Sequence, residues 1–367
     1  MSLLGFLCQV VALSVLFFSE VCLAGKNIPA SFVFGDSLVD AGNNNYIDTL
    51  SRANFVPNGI DFGSATGRFT NGRTIVDIVL QALGSDEFTP PYLAPTTRGS
   101  VILNGVNYAS GAGGILNSTG RLFGERINVD AQLDNFANTR QDIISWIGES
   151  EAAKLLRSAI FSVTIGSNDF INNYFIPAVP NVEQKVPPEV FVDSMISKFL
   201  LQLTRLYELG ARKIVVINVG PIGCIPFSRE TDPVAGEECS VKPNEMAQMY
   251  NLKLKTVVDD LNANLNGSKF VYGDVFRIVY DIIQNYESYG FENEKSPCCA
   301  LAGKVGGLIP CGPSSIVCMD RSKYVFWDPY HPTEDANLII ARRLLSGGTS
   351  DISPINIRQL ASLKLNT

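Results

Sequence analysis

Histidine is almost missing from this sequence: among 367 residues there is one, His331. Any step that needs an imidazole must therefore use that residue, and a zinc centre built from several His and Cys ligands is disfavoured. Other signatures are missing as well. There is no Gly-x-Ser-x-Gly nucleophile elbow and no phosphate-cradling Gly-x-x-x-x-Gly-Lys loop. Nor is there an internal repeat, a low-complexity linker or, beyond residue 24, an apolar run of membrane-spanning length. Basic residues are outnumbered, 29 Lys and Arg against 36 Asp and Glu, for a net charge of -7. That balance removes the electrostatic footprint of a nucleic-acid binder.

What is present points to a globular α/β protein. With 46% hydrophobic and 18% charged residues the chain can bury a sizeable core. No shift in composition divides it, so residues 25–367 read as one domain. Residues Ser2 to Ala24 are almost wholly apolar, with only Glu20 charged, and end in Cys22-Leu23-Ala24, small residues at the two positions a signal peptidase reads. Residues 1–24 therefore read as a cleaved secretory leader. An uncleaved anchor is the competing reading, but only Gly25 to Ala30 separate the segment from the first core strand. After cleavage no stable membrane insertion is expected, and the protein would be extracellular, in the cell wall or apoplast, or vacuolar.

Cys8 and Cys22 would leave with the leader. The remaining six, Cys224, Cys239, Cys298, Cys299, Cys311 and Cys318, form an even set suited to disulfides in an oxidising compartment. Six cysteines permit many connectivities; the local pair Cys224–Cys239 is the expected one. Sequons at Asn117 and Asn266 fall in turn-rich sequence and would carry surface glycans.

Short β-branched runs alternate with segments of helical period. Strands are expected at Ser31–Phe34, Val106–Ala109, Phe161–Ile165, Lys213–Val219 and Lys269–Tyr272. Helices are expected at Arg73–Leu83, Ile143–Arg157, Pro188–Leu209, Asn244–Leu265 and Val279–Tyr289. The alternation predicts a parallel sheet with helices on both faces. Pro297 to Cys318, rich in Cys and Gly, reads as a long loop pinned by disulfides.

Ligands of such sheets bind beyond the carboxyl ends of the strands. There the chain carries Gly35-Asp36-Ser37, then "SGAGG" at Ser110 to Gly114, then "GSND" at Gly166 to Asp169. Turn formation alone would explain a Gly-Asp-Ser; a nucleophilic Ser37 is the sharper reading. A serine hydroxyl is a weak nucleophile until a base takes its proton. In "WDPYHPTEDAN", Asp328 precedes His331 by three residues across Pro329, so a carboxylate could hold one ring nitrogen while the other faces a serine. A helix is expected from about Thr333.

Four separated blocks, "FVFGDSLVDAGNNN", "NGVNYASGAGGI", "VTIGSNDF" and "FWDPYHPTE", resemble in order the plant-type GDSL esterase/lipases of the SGNH hydrolase superfamily. "TGRFTNG" and "GPIGCIP" support the same resemblance. It implies a flavodoxin-like, three-layer α/β/α fold with a central, mainly parallel five-stranded sheet. It further implies Ser37 as nucleophile and backbone oxyanion donor, Gly111 as a second backbone donor, Asn168 as an amide donor, and His331 as base oriented by Asp328. Gly113 is a rival to Gly111. For Asn168 the simpler alternative is a helix cap. Asp36 and Asp40 could serve only to brace the turn, and Asn43 to Asn45 could line the cleft or form a solvated loop.

The function expected is a secreted serine esterase acting on acyl lipids or related small-molecule esters, with no metal or organic cofactor and no nucleic-acid partner. An acyltransferase using the same acyl-enzyme, or a non-catalytic protein of this fold, are the alternatives.

Overall fold

The computed structural model describes residues 28–175, 186–234, 238–304 and 306–365. The leader expected over 1–24 lies outside the described residues. Five parallel strands, β1 (Ser31–Gly35), β2 (Gly105–Asn107), β3 (Ile160–Thr164), β4 (Lys213–Ile217) and β5 (Lys269–Gly273), sit where the apolar runs predict them. A sixth, β6 (Ile352–Ser353), joins antiparallel to β5, so the sheet order is β6-β5-β4-β3-β1-β2. The expected five-stranded sheet is thus six-stranded. A two-residue strand followed by Pro354 carries too little alternation to announce itself.

Helices α1 (Ile75–Ala82), α2 (Val129–Ile147), α3 (Glu149–Ser158), α4 (Pro188–Glu208), α5 (Val241–Asn264), α6 (Val275–Gln284), α7 (Glu334–Ser346) and α8 (Ile357–Ser362) surround the sheet. The helix expected over Ile143–Arg157 is in fact α2 and α3 meeting at Gly148, whose φ of +80° breaks the backbone run. Local caps fix other starts. Thr74 and Asp77 form a reciprocal capping box for α1, and Thr333 accepts the Ala336 N–H to start α7.

The two faces of the sheet differ in side-chain size. Phe32, Phe34 and Phe161 project to one side and pack with Phe136 of α2, ring centroids 5.3 to 5.7 Å away. On the other side, beneath α1 and α7, the strands present Ser31, Ser162 and Thr164 beside Val215 and Ile217. Three disulfides close the cysteine set: the expected Cys224–Cys239, with Cys298–Cys318 and Cys299–Cys311. The last two pin the expected long loop. No helix among the described residues is long and apolar enough to cross a membrane.

Candidate active site

The chain leaves β1 through Gly35, where a Cβ would come within 2.5 Å of the Thr164 carbonyl oxygen and of Val39, so only glycine fits. Gln132 of α2 accepts the Gly35 N–H at 2.9 Å and donates to its carbonyl at 2.7 Å. This double clamp delivers Ser37, half-buried, to the carboxyl end of the sheet.

Opposite, the segment between the strand Tyr324–Phe326 and α7 makes a tight turn around Asp328. Its Oδ1 accepts the backbone N–H groups of Tyr330 and His331, each at 2.8 Å. His331 Nδ1 lies 2.7 and 2.8 Å from the two Asp328 oxygens, and His331 Nε2 lies 2.7 Å from Ser37 Oγ. Folding has joined side chains 294 residues apart in sequence. Asp328 and His331 are 2% and 7% exposed, so water competes little for these bonds. With the Nδ1 proton held by the carboxylate, Nε2 can accept the serine proton.

Several residues that the motif reading did not assign hold this turn in place. Phe69 lies against the imidazole, ring centroids 5.2 Å apart, and Thr70 donates to the Pro332 carbonyl at 2.9 Å. Arg73 bonds Glu334 at the start of α7, with Nε 2.8 Å from Oε1. Arg68 and Asp77 form a buried two-bond pair at 2.7 and 2.8 Å. The "TGRFTNG" block is therefore the scaffold of the histidine turn, a role visible only once tertiary contacts are known.

The groups expected as oxyanion donors differ in whether their N–H is already engaged. The Gly111 N–H donates to Asp40 Oδ2 at 3.1 Å, and the Gly113 N–H donates to the Ser110 carbonyl at 3.0 Å. Gly114 donates to Asn128. Between them Ala112, among the described residues the non-glycine one with positive φ, +63°, lines the cleft, and its N–H has no acceptor among them. The Ser37 N–H is likewise without an acceptor there. Asn168 lines the cleft beside Ser37. One Nδ2 hydrogen goes to the Gly113 carbonyl at 3.0 Å, its Oδ1 accepts from Asn172, and the second Nδ2 hydrogen remains for a ligand.

The asparagine pair at the head of the run is neither cleft lining nor solvated loop. Asn43 and Asn44 are fully buried; Asn43 donates to the Asn107 and Ala109 carbonyls, and Asn44 to those of Ser51 and Gly111. They tie the Ser37 turn to the turn after β2.

Buried carboxyls surround the nucleophile turn. Burial pushes Asp36 up to about 7, against the Leu38 N–H and the neighbouring His331; its Oδ2 has no partner among the described residues. Burial likewise raises Asp40 and Asp169 to about 6, opposed by the backbone N–H groups each accepts. Asp40 braces the turn, accepting from Gly42 and Asn43.

The cleft beside Ser37 has a volume of about 150 Å³ and is mainly apolar, with Ile75, Ile217, Val275, Val279 and Ile340 among its walls. Residues 32–344 match the family model of the GDSL-like lipase/acylhydrolases. The chain belongs to that family. It is similar to the GDSL esterase/lipase At4g16230 of Arabidopsis thaliana, 82% identical over the whole of both chains. Two further Arabidopsis thaliana relatives are GDSL esterase/lipase At2g23540, 49% identical over 92% of this chain and 89% of the relative, and GDSL esterase/lipase At3g50400, 50% identical over 94% and 95%. As a GDSL-family member the protein is a carboxylic ester hydrolase, and the apolar cleft agrees with an ester substrate.

Proposed function

We propose that the protein is a secreted serine esterase or lipase that cleaves the ester bonds of acyl lipids or related esters through an acyl-enzyme on Ser37. The observation that carries this reading is the unbroken line Ser37 Oγ–His331 Nε2–Asp328, with both links at 2.7 to 2.8 Å. Ser37 Oγ attacks the ester carbonyl carbon while its proton passes to Nε2. The tetrahedral oxyanion takes hydrogen bonds from the Ser37 and Ala112 N–H groups and Asn168 Nδ2. In this role Ala112 replaces Gly111, whose N–H serves Asp40. Collapse of the intermediate expels the alcohol, which leaves with the proton from Nε2. A water then enters, is deprotonated by His331, and releases the carboxylic acid from Ser37.

Three disulfides support an oxidising destination. Asn117 and Asn266 are exposed, as glycan carriers must be. The test is hydrolysis of a short-chain p-nitrophenyl ester, with labelling by a serine-directed phosphonate. Ser37→Ala should lose both, and unchanged hydrolysis in that variant would remove the nucleophile assignment.

A further inference from the structure

The asymmetry of the sheet has left an empty trough. Strands β1 and β3 turn the small side chains of Ser31, Ser162 and Thr164 towards α1 and α7, and a second void of about 30 Å³ lies there, between Ser31, Ser162 and Val215 on the sheet and Val76, Val79 and Leu344 on the helices. Ile75, Thr164 and Ile217 are walls of both this void and the cleft beside Ser37, so the two spaces meet at those residues. Ser162 is half-buried although β3 is paired on both sides, and its Oγ has no hydrogen-bond partner among the described residues. A well-packed central strand would leave neither the space nor the orphaned hydroxyl.

We propose that the acyl chain of the substrate runs from Ser37 down this trough, past Ile75 and Ile217, to end at Ser162. The inference rests on the ester-hydrolase reading and adds the chain that the site accepts. Strand register sets the length. Gly35, the last residue of β1, pairs with Thr164 and Val33 with Ser162, so Ser162 lies two strand residues below the end of β1, and Ser37 sits in the turn just beyond that end. The two extended residues account for about 7 Å, and the turn to Ser37 adds roughly half as much again. A zigzag of roughly 1.5 Å carbon–carbon bonds covers that in roughly eight carbons. The inner void has room for a methyl terminus but not for a ring or a polar head group. The substrate class is therefore esters of straight, unbranched acyl chains of medium length, and short acyl groups leave the inner end empty.

The test is a series of p-nitrophenyl esters, acetyl, butyryl, decanoyl and palmitoyl, compared as kcat/KM ratios in three proteins. Ser162→Val fills the inner void without removing a made hydrogen bond, so it should fold normally. Displacing about two methylenes of a bound chain should lower the decanoyl-to-butyryl ratio roughly tenfold. Ile217→Ala widens the junction and should raise the palmitoyl-to-butyryl ratio several-fold. An unchanged ratio in Ser162→Val, or an equal fall on every ester, would overturn the proposal, as would an unchanged ratio in Ile217→Ala. Wild-type protein inactive on every ester would instead overturn the ester-hydrolase reading itself, so the two failures are distinct.

Discussion

Replacing Asp36 by Asn should change the sign of its effect on stability between pH 5 and pH 8. The Asp36 carboxyl is fully buried, with Oδ1 accepting the Leu38 N–H at 3.0 Å and Oδ2 unpartnered among the described residues. Burial lifts it from the ordinary aspartate value of 3.8 to about 7 in the folded protein. A raised carboxyl means that, between those values, the native state holds a proton the unfolded chain has released. Stability from this group is thus greatest in acid, falls as pH rises from about 4 to 7, and stays low above that. At pH 8 the ionised, buried carboxylate costs of order 4 kcal/mol relative to the unfolded chain. Asparagine keeps the acceptor for Leu38 but adds an amide with no acceptor, a penalty of about 1–3 kcal/mol that does not depend on pH. Urea unfolding followed by fluorescence supplies the assay. The variant should be slightly less stable than wild type at pH 5 and more stable at pH 8. A difference between the two proteins that is the same at both pH values would refute the reasoning, because Asp40 and Asp169 titrate alike in both.

Asp328→Asn keeps the shape of the turn but removes the charge that orients the imidazole, and kcat should fall by about three to four orders of magnitude on a butyryl ester. Asn168→Ala should cost roughly a hundredfold to a thousandfold in kcat with KM little changed, because its free Nδ2 hydrogen would act on the developing oxyanion; a change confined to KM would argue against that role. Arg68→Met leaves Asp77 buried without its partner and should lower unfolding stability by about 3–5 kcal/mol, read by urea denaturation. The same change should loosen the histidine turn, so activity on every ester should fall together.

The five parallel strands were legible because each is an apolar run whose signal is local. The candidate centre was legible for the same reason: a lone histidine and four motif blocks leave few residues to choose among, and folding brings Ser37, His331 and Asp328 together. The same locality limits the reading elsewhere. The two-residue strand β6 pairs only because β5 presents an open edge. The break at Gly148 depends on a positive φ that helical periodicity does not encode. Asn43 and Asn44 look like turn residues in sequence, yet they are buried staples, since their partners lie up to 67 residues away.

By itself the sequence determined the order of strands and helices and the chemical groups available at the strand ends, because these depend on neighbours a few residues apart. Only the tertiary structure decided which groups meet. It set Ser37 against His331, turned the Gly111 N–H to Asp40 and left that of Ala112 without an acceptor among the described residues. It also opened the trough under α1 and α7. Hydrogen-bond direction and cavity volume arise from how distant segments pack, and no local pattern of residues carries that information.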